Sequence, residues 1–235
     1  GMIGTRAVGA APPDGSTLMY NGTLSILRDN FDPRTVVDHV ARVLITHNIL
    51  VVNRSVPART VPEFIAWLRA RPGRVNHGTS GPLAQQHLAA VMFDLMAGTR
   101  MENIHYRGTG PSVAAIIADE VQVMFGSISA VLPLIEDGRV RALANLPVMA
   151  DFLPGYAAEL TYSLCAPLNT PPAIHARIQE AARRILADER FVGELRARGF
   201  EPDYATDPQL AREIEADVQR WADVARRANL NLNEG

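Results

Sequence analysis

RVNHGTSGPLAQQHLAAVMFDLMAG, residues 74–98, holds most of the architectural information in this chain. Arg74-Val75 opens a strand that runs to Gly78 and breaks into Gly78-Thr79-Ser80-Gly81-Pro82. Apolar residues at helical spacing then predict a helix from about Pro82 to Ala97. Two glycines, two hydroxyls and a proline at one helix entrance admit two readings. One is an ordinary capped helix. The other is an anion seat. The first turn of a helix exposes unpaired N–H groups and about half a positive charge. Glycine lets a ligand approach that backbone, and hydroxyls add adjustable donors.

The same unit recurs downstream. A strand over 101–106 leads to the turn Arg107-Gly108-Thr109-Gly110-Pro111 and a helix over 111–119. A strand over 121–125 leads to Gly126-Ser127-Ile128-Ser129 and a helix over 130–137, which Gly138 ends before a strand over 140–144. Strand, small-residue turn and helix, three times in succession, predict an α/β fold with parallel strands and right-handed crossovers. Ligands of such sheets bind beyond the carboxyl ends of the strands, where these turns lie.

Upstream, Pro12-Pro13-Asp14-Gly15 is a turn before a short strand at 17–20. VARVLITHNILVV, residues 40–52, reads as one buried strand. Thr60-Val61-Pro62-Glu63 has the form of a capping box opening a helix that stops at Pro72-Gly73. Downstream, the two prolines of residues 145–156 read as a linker, 161–166 as a strand, and Thr170-Pro171-Pro172 as the start of a helix to about Asp188. A short helix ending at Gly199, a strand over 200–204 and an amphipathic helix from Asp207-Pro208 to about Asn229 complete the chain.

Composition narrows the function. The chain has 235 residues, 47% hydrophobic and 20% charged, with net charge −2. That is ample for a globular core and gives no basic footprint for nucleic acid. All 23 basic residues are arginine, so no lysine is available for a P-loop, a Schiff base or a general base. The one cysteine, Cys165, lies in an apolar run and reads as a buried hydrophobe. No run reaches the roughly 18 apolar residues of a membrane span, and the first residues lack the pattern of a signal peptide.

Catalytic patterns fit poorly. Gly78-Thr79-Ser80-Gly81 is not a G-x-S-x-G elbow, and Gly108-Thr109-Gly110 lacks the third glycine of G-x-G-x-x-G. His77, His87 and His105 lack the i, i+4 spacing of a helical metal site. His87 alone on a helix reads as a packed or hydrogen-bonded side chain. Tyr106 either orients a ligand or fills the core. No cofactor, metal site or nucleophile–base pair is expected, and an enzyme ranks last among the readings.

With these residues in view, the chain resembles the periplasmic solute-binding receptors of tripartite tricarboxylate transporters, the Bug receptors. Ala11-Pro12-Pro13-Asp14-Gly15-Ser16-Thr17-Leu18 is similar to A-x-P-D-G-Y-T-L-L, and residues 50–58 to L-V-V-N-P-S-V-P-A. Asn76-His77-Gly78-Thr79-Ser80-Gly81 with Gln86-His87-Leu88 resembles N-Y-G-S-S-G…x-H-L. His105 to Pro111 resembles V-P-Y-K-G-x-x-P. The strand pair at 121–125 and 138–144, Leu153-Pro154-Gly155-Tyr156, and the stretch from Ala166 to Pro172 match as well.

The resemblance implies a two-lobed, type II periplasmic-binding-protein-like α/β fold with parallel or mixed sheets. The first lobe would comprise 1–75 plus 157–235, incomplete at its N-terminus, and the second 76–156. It implies a small carboxylate in the interlobe cleft, membrane subunits of a transporter as partners, and a periplasmic location. The ligand-binding residues carried over are Gly78, Thr79, Ser80, Gly81, Leu83, Ala84, Tyr106, Gly126 and Ser127. Ala84 stands where the family often has Ser or Thr, and Gly126 where Asp often follows Met-Phe. The family's first strand and its half of the carboxylate clamp have no counterpart here, and the stretches 22–36 and 144–156 look short. Loss of that strand gives an alternative function: an interaction protein without ligand binding, dimerising through an exposed sheet edge.

Overall fold

The computed structural model describes residues 2–22 and 32–231, and the shortened stretch expected at 22–36 lies mostly outside them. The chain divides into two compact units, one of residues 1–46 and 160–223, the other of 47–159 and 224–235.

Unit 1 contains α1 (Met2–Gly9), β1 (Met19–Gly22), a 3-10 turn (Pro33–Thr35) and β2 (Val37–Thr46). After the chain returns it adds β8 (Leu160–Pro167), α7 (Pro172–Leu186), α8 (Glu189–Ala197), β9 (Phe200–Ala205) and the start of α9 (Gln209–Arg227). The sheet order is β1-β8-β2-β9, every pair antiparallel. Ala41, Val43 and Leu44 pack with Ala182 of α7 in one cluster, and Val8 of α1 packs with Val37 and Cys165 in another. The helix α1 is an element the turn-and-strand reading of the N-terminal residues did not anticipate.

Unit 2 is a five-stranded mixed sheet of order β5-β4-β6-β3-β7. Its strands are β3 (Asn48–Asn53), β4 (Asn76–Thr79), β5 (Glu102–His105), β6 (Val123–Ser127) and β7 (Val140–Asn145). Its helices are α2 (Val61–Arg69), α3 (Gln85–Ala97), α4 (Thr109–Ile117), α5 (Ile128–Glu136) and α6 (Leu146–Phe152). Strand β4 is parallel to both its neighbours, β5 and β6, as the repeated unit requires. β3 runs antiparallel between β6 and β7. Every residue of β3 is buried, because helices cover both faces of the sheet. Phe64, Phe93 and Phe125 pack with tilted rings, successive centroids 5.8 and 5.7 Å apart. Ile116, Val121, Met124, Val131 and Val140 form the other cluster with Val51.

Four expectations change. The run 40–52 is two strands: β2 pairs in one sheet, β3 in the other, and His47 separates them. The hydrogen bonding of β3 therefore draws the unit boundary at 46/47, whereas the first lobe was drawn to residue 75. The linker of residues 145–156 contains α6, with Pro147 inside its first turn, where a missing N–H costs nothing. In the capping box, Thr60 Oγ1 accepts from Glu63 N, but Glu63 reaches back to the N–H of Arg59 rather than Thr60.

Candidate functional site

The carboxyl ends of β5, β4 and β6 lie side by side, since β4 sits between its two parallel neighbours. Each is followed at once by a helix: α4 after β5, α3 after β4, α5 after β6. None of the three has a side-chain cap. Their N-cap positions are Gly108, Ala84 and Ser127. In α3 the N–H groups of Gln85, Gln86 and His87 meet no acceptor among the described residues, and all three side chains are buried. Unmet donors at a buried helix start form an anion site in waiting.

The β4–α3 turn holds itself rigidly. Thr79 is fully buried; its Oγ1 donates to Gly81 O at 2.8 Å and accepts from Gly81 N at 3.1 Å. The Thr79 hydroxyl is therefore a turn lock, whereas the sequence had offered it as an adjustable donor. Ser80 N donates to Gln86 Oε1 at 3.0 Å, and Ser80 O accepts from Gly108 N at 3.1 Å, tying this turn to the next. The Ser80 hydroxyl makes no hydrogen bond among the described residues and is the free donor of the turn. Leu83 adopts a left-handed backbone, φ 56°, with its side chain buried. A non-glycine residue there costs of order 1–3 kcal/mol and persists only where neighbours enforce it. The enforcer is His87, whose Nδ1 accepts the Leu83 N–H at 3.1 Å.

That bond requires a neutral imidazole. Burial, helped by neighbouring His105, pushes His87 down to about 4. Beneath it His77 is completely buried and held down to about 3 for the same reason. Its Nδ1 lies 2.8 Å from Asn103 Oδ1, and its Nε2 accepts from Phe125 N at 3.4 Å, which sets the tautomer. Both histidines hold structure, as the packed reading of His87 had it.

The remaining expected residues separate. Gly126 and Ser127 close β6 at the same edge. A Cβ on Gly126 would collide with Val131 of α5, which accounts for the absence of a side chain there. Ser127 Oγ accepts from Ser129 Oγ at 3.5 Å. The backbone N of Tyr106 bonds to Thr79 O at the edge, but its hydroxyl runs back to Glu120 Oε2 at 3.4 Å. The backbone of Glu120 accepts from Asn76 at the start of β4, so the ring lies along the strands and packs on the core cluster. Of the nine residues, the structure gathers Gly78, Thr79, Ser80, Gly81, Leu83, Ala84, Gly126 and Ser127 along one sheet edge and turns the Tyr106 hydroxyl away.

Unit 1 contains the other polar concentration, a cavity of about 410 Å³ lined by Arg34, Asp38, His39, His175, Asp207 and Glu215. Arg34 is held by Asp32 and Glu215. Behind it Cys165 Sγ is 3.5 Å from His39 Nδ1, a proximity that 126 residues of separation hid from sequence reading. Burial pushes the thiol up to about 12 and the imidazole down to about 4. The pair is thiol and neutral imidazole, not an activated nucleophile. Among the described residues no His, Cys, Asp or Glu group could hold a metal ion, and no helix is long and apolar enough to cross a membrane.

Two α/β units, one of them carrying three helix starts without side-chain caps along one sheet edge, offer backbone donors to a polar ligand. The sequence profile described as "Tripartite tricarboxylate transporter family receptor" matches residues 1–230. The chain belongs to that family of periplasmic solute receptors, and it is not an enzyme. It is 29% identical over 252 residues to Protein BugT of Bordetella pertussis, covering 99% of this chain and 77% of that one. Among solved structures it is similar to Rpa4515 of R. palustris with adipate, at 26% identity and a TM-score of 0.88, covering 97% of this chain and 82% of that one. The periplasmic binding protein BugD shares the fold, with a TM-score of 0.85 at 21% identity over 97% of this chain and 83% of its own.

Proposed function

We propose that this protein is a periplasmic receptor that captures a small carboxylate on the open N-terminus of α3 and delivers it to the membrane subunits of a tripartite transporter. The observation that carries the reading is the set of unmet N–H groups of Gln85, Gln86 and His87. The open starts of α4 and α5 beside them add positive potential at the same edge. The free Ser80 hydroxyl supplies a further donor. Membership of the receptor family and the adipate bound to Rpa4515 support a carboxylate as the anion. Delivery to membrane subunits rests on the family alone.

Thermal unfolding against millimolar mono-, di- and tricarboxylates tests this. A ligand at about 100 times its Kd adds about 2.7 kcal/mol. For a chain of this size that raises the midpoint by roughly 5–10 °C. A rise confined to one class of acid identifies the substrate class. An unchanged midpoint across all acids contradicts the reading.

A further inference from the structure

The sheet of unit 1 has two edges of opposite character. β9, at one end of the order β1-β8-β2-β9, carries Pro202 between Glu201 and Asp203. Proline and charge on an edge strand protect it against pairing with another chain. β1, at the other end, reads Met19-Tyr20-Asn21-Gly22, with no charge and no proline, and among the described residues it pairs only with β8. Tyr20 is half exposed. Its ring stacks on Tyr162 of β8, centroids 4.9 Å apart and planes 3° from parallel, which leaves its other face turned off the edge. Leu18, two residues earlier, lies on the same side of the sheet. It lines an apolar groove of about 330 Å³ with Ile174, Ile178 and Ile185 of α7. Leu18 is 42% exposed and Ile185 52%, and past Ile185 the surface continues to Phe191 of α8, 40% exposed. Large apolar side chains left open side by side mark an interaction surface. Asp14 and Arg177 line the same groove, and neither has an ion-pair partner among the described residues.

A second copy of the chain answers the bare edge, the apolar strip and the two free charges together. A two-fold axis perpendicular to the sheet sets β1 antiparallel to its own copy and keeps the same face of both sheets on the same side. With the axis at Tyr20, the two tyrosines form a cross-strand pair. The two apolar strips then adjoin on one face. Each facing surface carries one free carboxylate and one free guanidinium, a sign pattern that a two-fold interface matches with itself. We infer that the chain dimerises through β1, joining two four-stranded sheets into one continuous sheet with Leu18, Tyr20 and Ile185 in the interface. This surface lies wholly in unit 1, whereas the seat on α3 lies in unit 2, so the inference does not rest on the carboxylate reading.

Sedimentation equilibrium of the full chain, loaded from about 1 to 100 μM, tests this. A monomer–dimer equilibrium is expected within that range. Tyr20→Arg removes the aromatic pair and sets like charges opposite each other, and is expected to weaken the dimer at least about tenfold. Tyr20→Glu is expected to do the same, and an equimolar mixture of the two variants to regain the dimer as a mixed pair. Ile185→Arg, at an exposed position of α7 that leaves the strand untouched, is expected to weaken it as well. A native chain that stays monomeric throughout overturns the inference. So does a dimer that survives in folded Tyr20→Arg and in folded Ile185→Arg. If the Tyr20 variants fail to fold, Ile185→Arg decides the matter alone.

Discussion

Ala84 has the backbone of an N-cap, φ −64° and ψ 155°, and no atom with which to cap. Aspartate there would accept from the N–H groups of α3 and put the protein's own carboxylate where the ligand's belongs. A good N-cap is worth about 1 kcal/mol over alanine. Ala84→Asp is therefore expected to raise the unliganded melting midpoint by roughly 2–4 °C and to abolish stabilisation by added carboxylates. Stabilisation that persists would place the ligand elsewhere. The turn from Gly78 to Ala84 was legible because its residue types and its position before a helix both report backbone demands. Tyr106 was half legible: the pattern put it at a strand end, but which way its ring lies depends on Glu120 and on the core beneath. The bond from Asn48 to Gln85, the first residue of α3, was not legible at all, since 37 residues separate the two and nothing local links them.

At the scale of elements, the junction of β6 and α5 shows why a family feature is missing. A side chain at Gly126 meets Val131, which is wholly buried in the core cluster. Gly126→Asp alone is expected to lose about 1–3 kcal/mol through overpacking. Combined with Val131→Ala, it is expected to lose less than the two single losses added together, because the two sites share one space. Urea denaturation of both single variants and the double variant measures the coupling; strict additivity would mean that the backbone, not Val131, excludes the side chain. The repeated strand–turn–helix units of 74–144 were readable because small-residue turns interrupt apolar periodicity three times. The division of 40–52 was not, because both flanks are rich in buried apolar residues and the break at Thr46-His47-Asn48 carries no glycine or proline to mark it. The helix α6 was masked by its prolines, which flank or open a helix as readily as they mark a linker.

For the molecule as a whole, His39, His77 and His87 make stability depend on pH. Burial holds them near 4, 3 and 4, against about 6.5 in the unfolded chain. Below pH 6.5 the unfolded chain binds protons that the folded chain refuses. Their contribution is complete above pH 6.5 and is lost as the pH falls toward 4, at about 1.4 kcal/mol per pH unit for each histidine. Asp94, whose carboxyl burial raises, opposes the trend at the acid end of that window. Urea unfolding at pH 7 and pH 5 is expected to show the loss, and His77→Gln, which can still accept from Phe125 N and donate to Asn103, should shrink it. A stability unchanged between the two pH values would show that the imidazoles protonate in place.

The buried thiol of Cys165 has a practical side. It is the chain's one sulfhydryl, and burial keeps it protonated and out of reach. A cysteine substituted for exposed Arg107, in the turn after β5, would then be the single site open to maleimide chemistry. An environment-sensitive dye attached there would sit beside the open helix starts and convert solute capture into an optical signal, making the receptor a reagentless sensor for whichever acid it takes up.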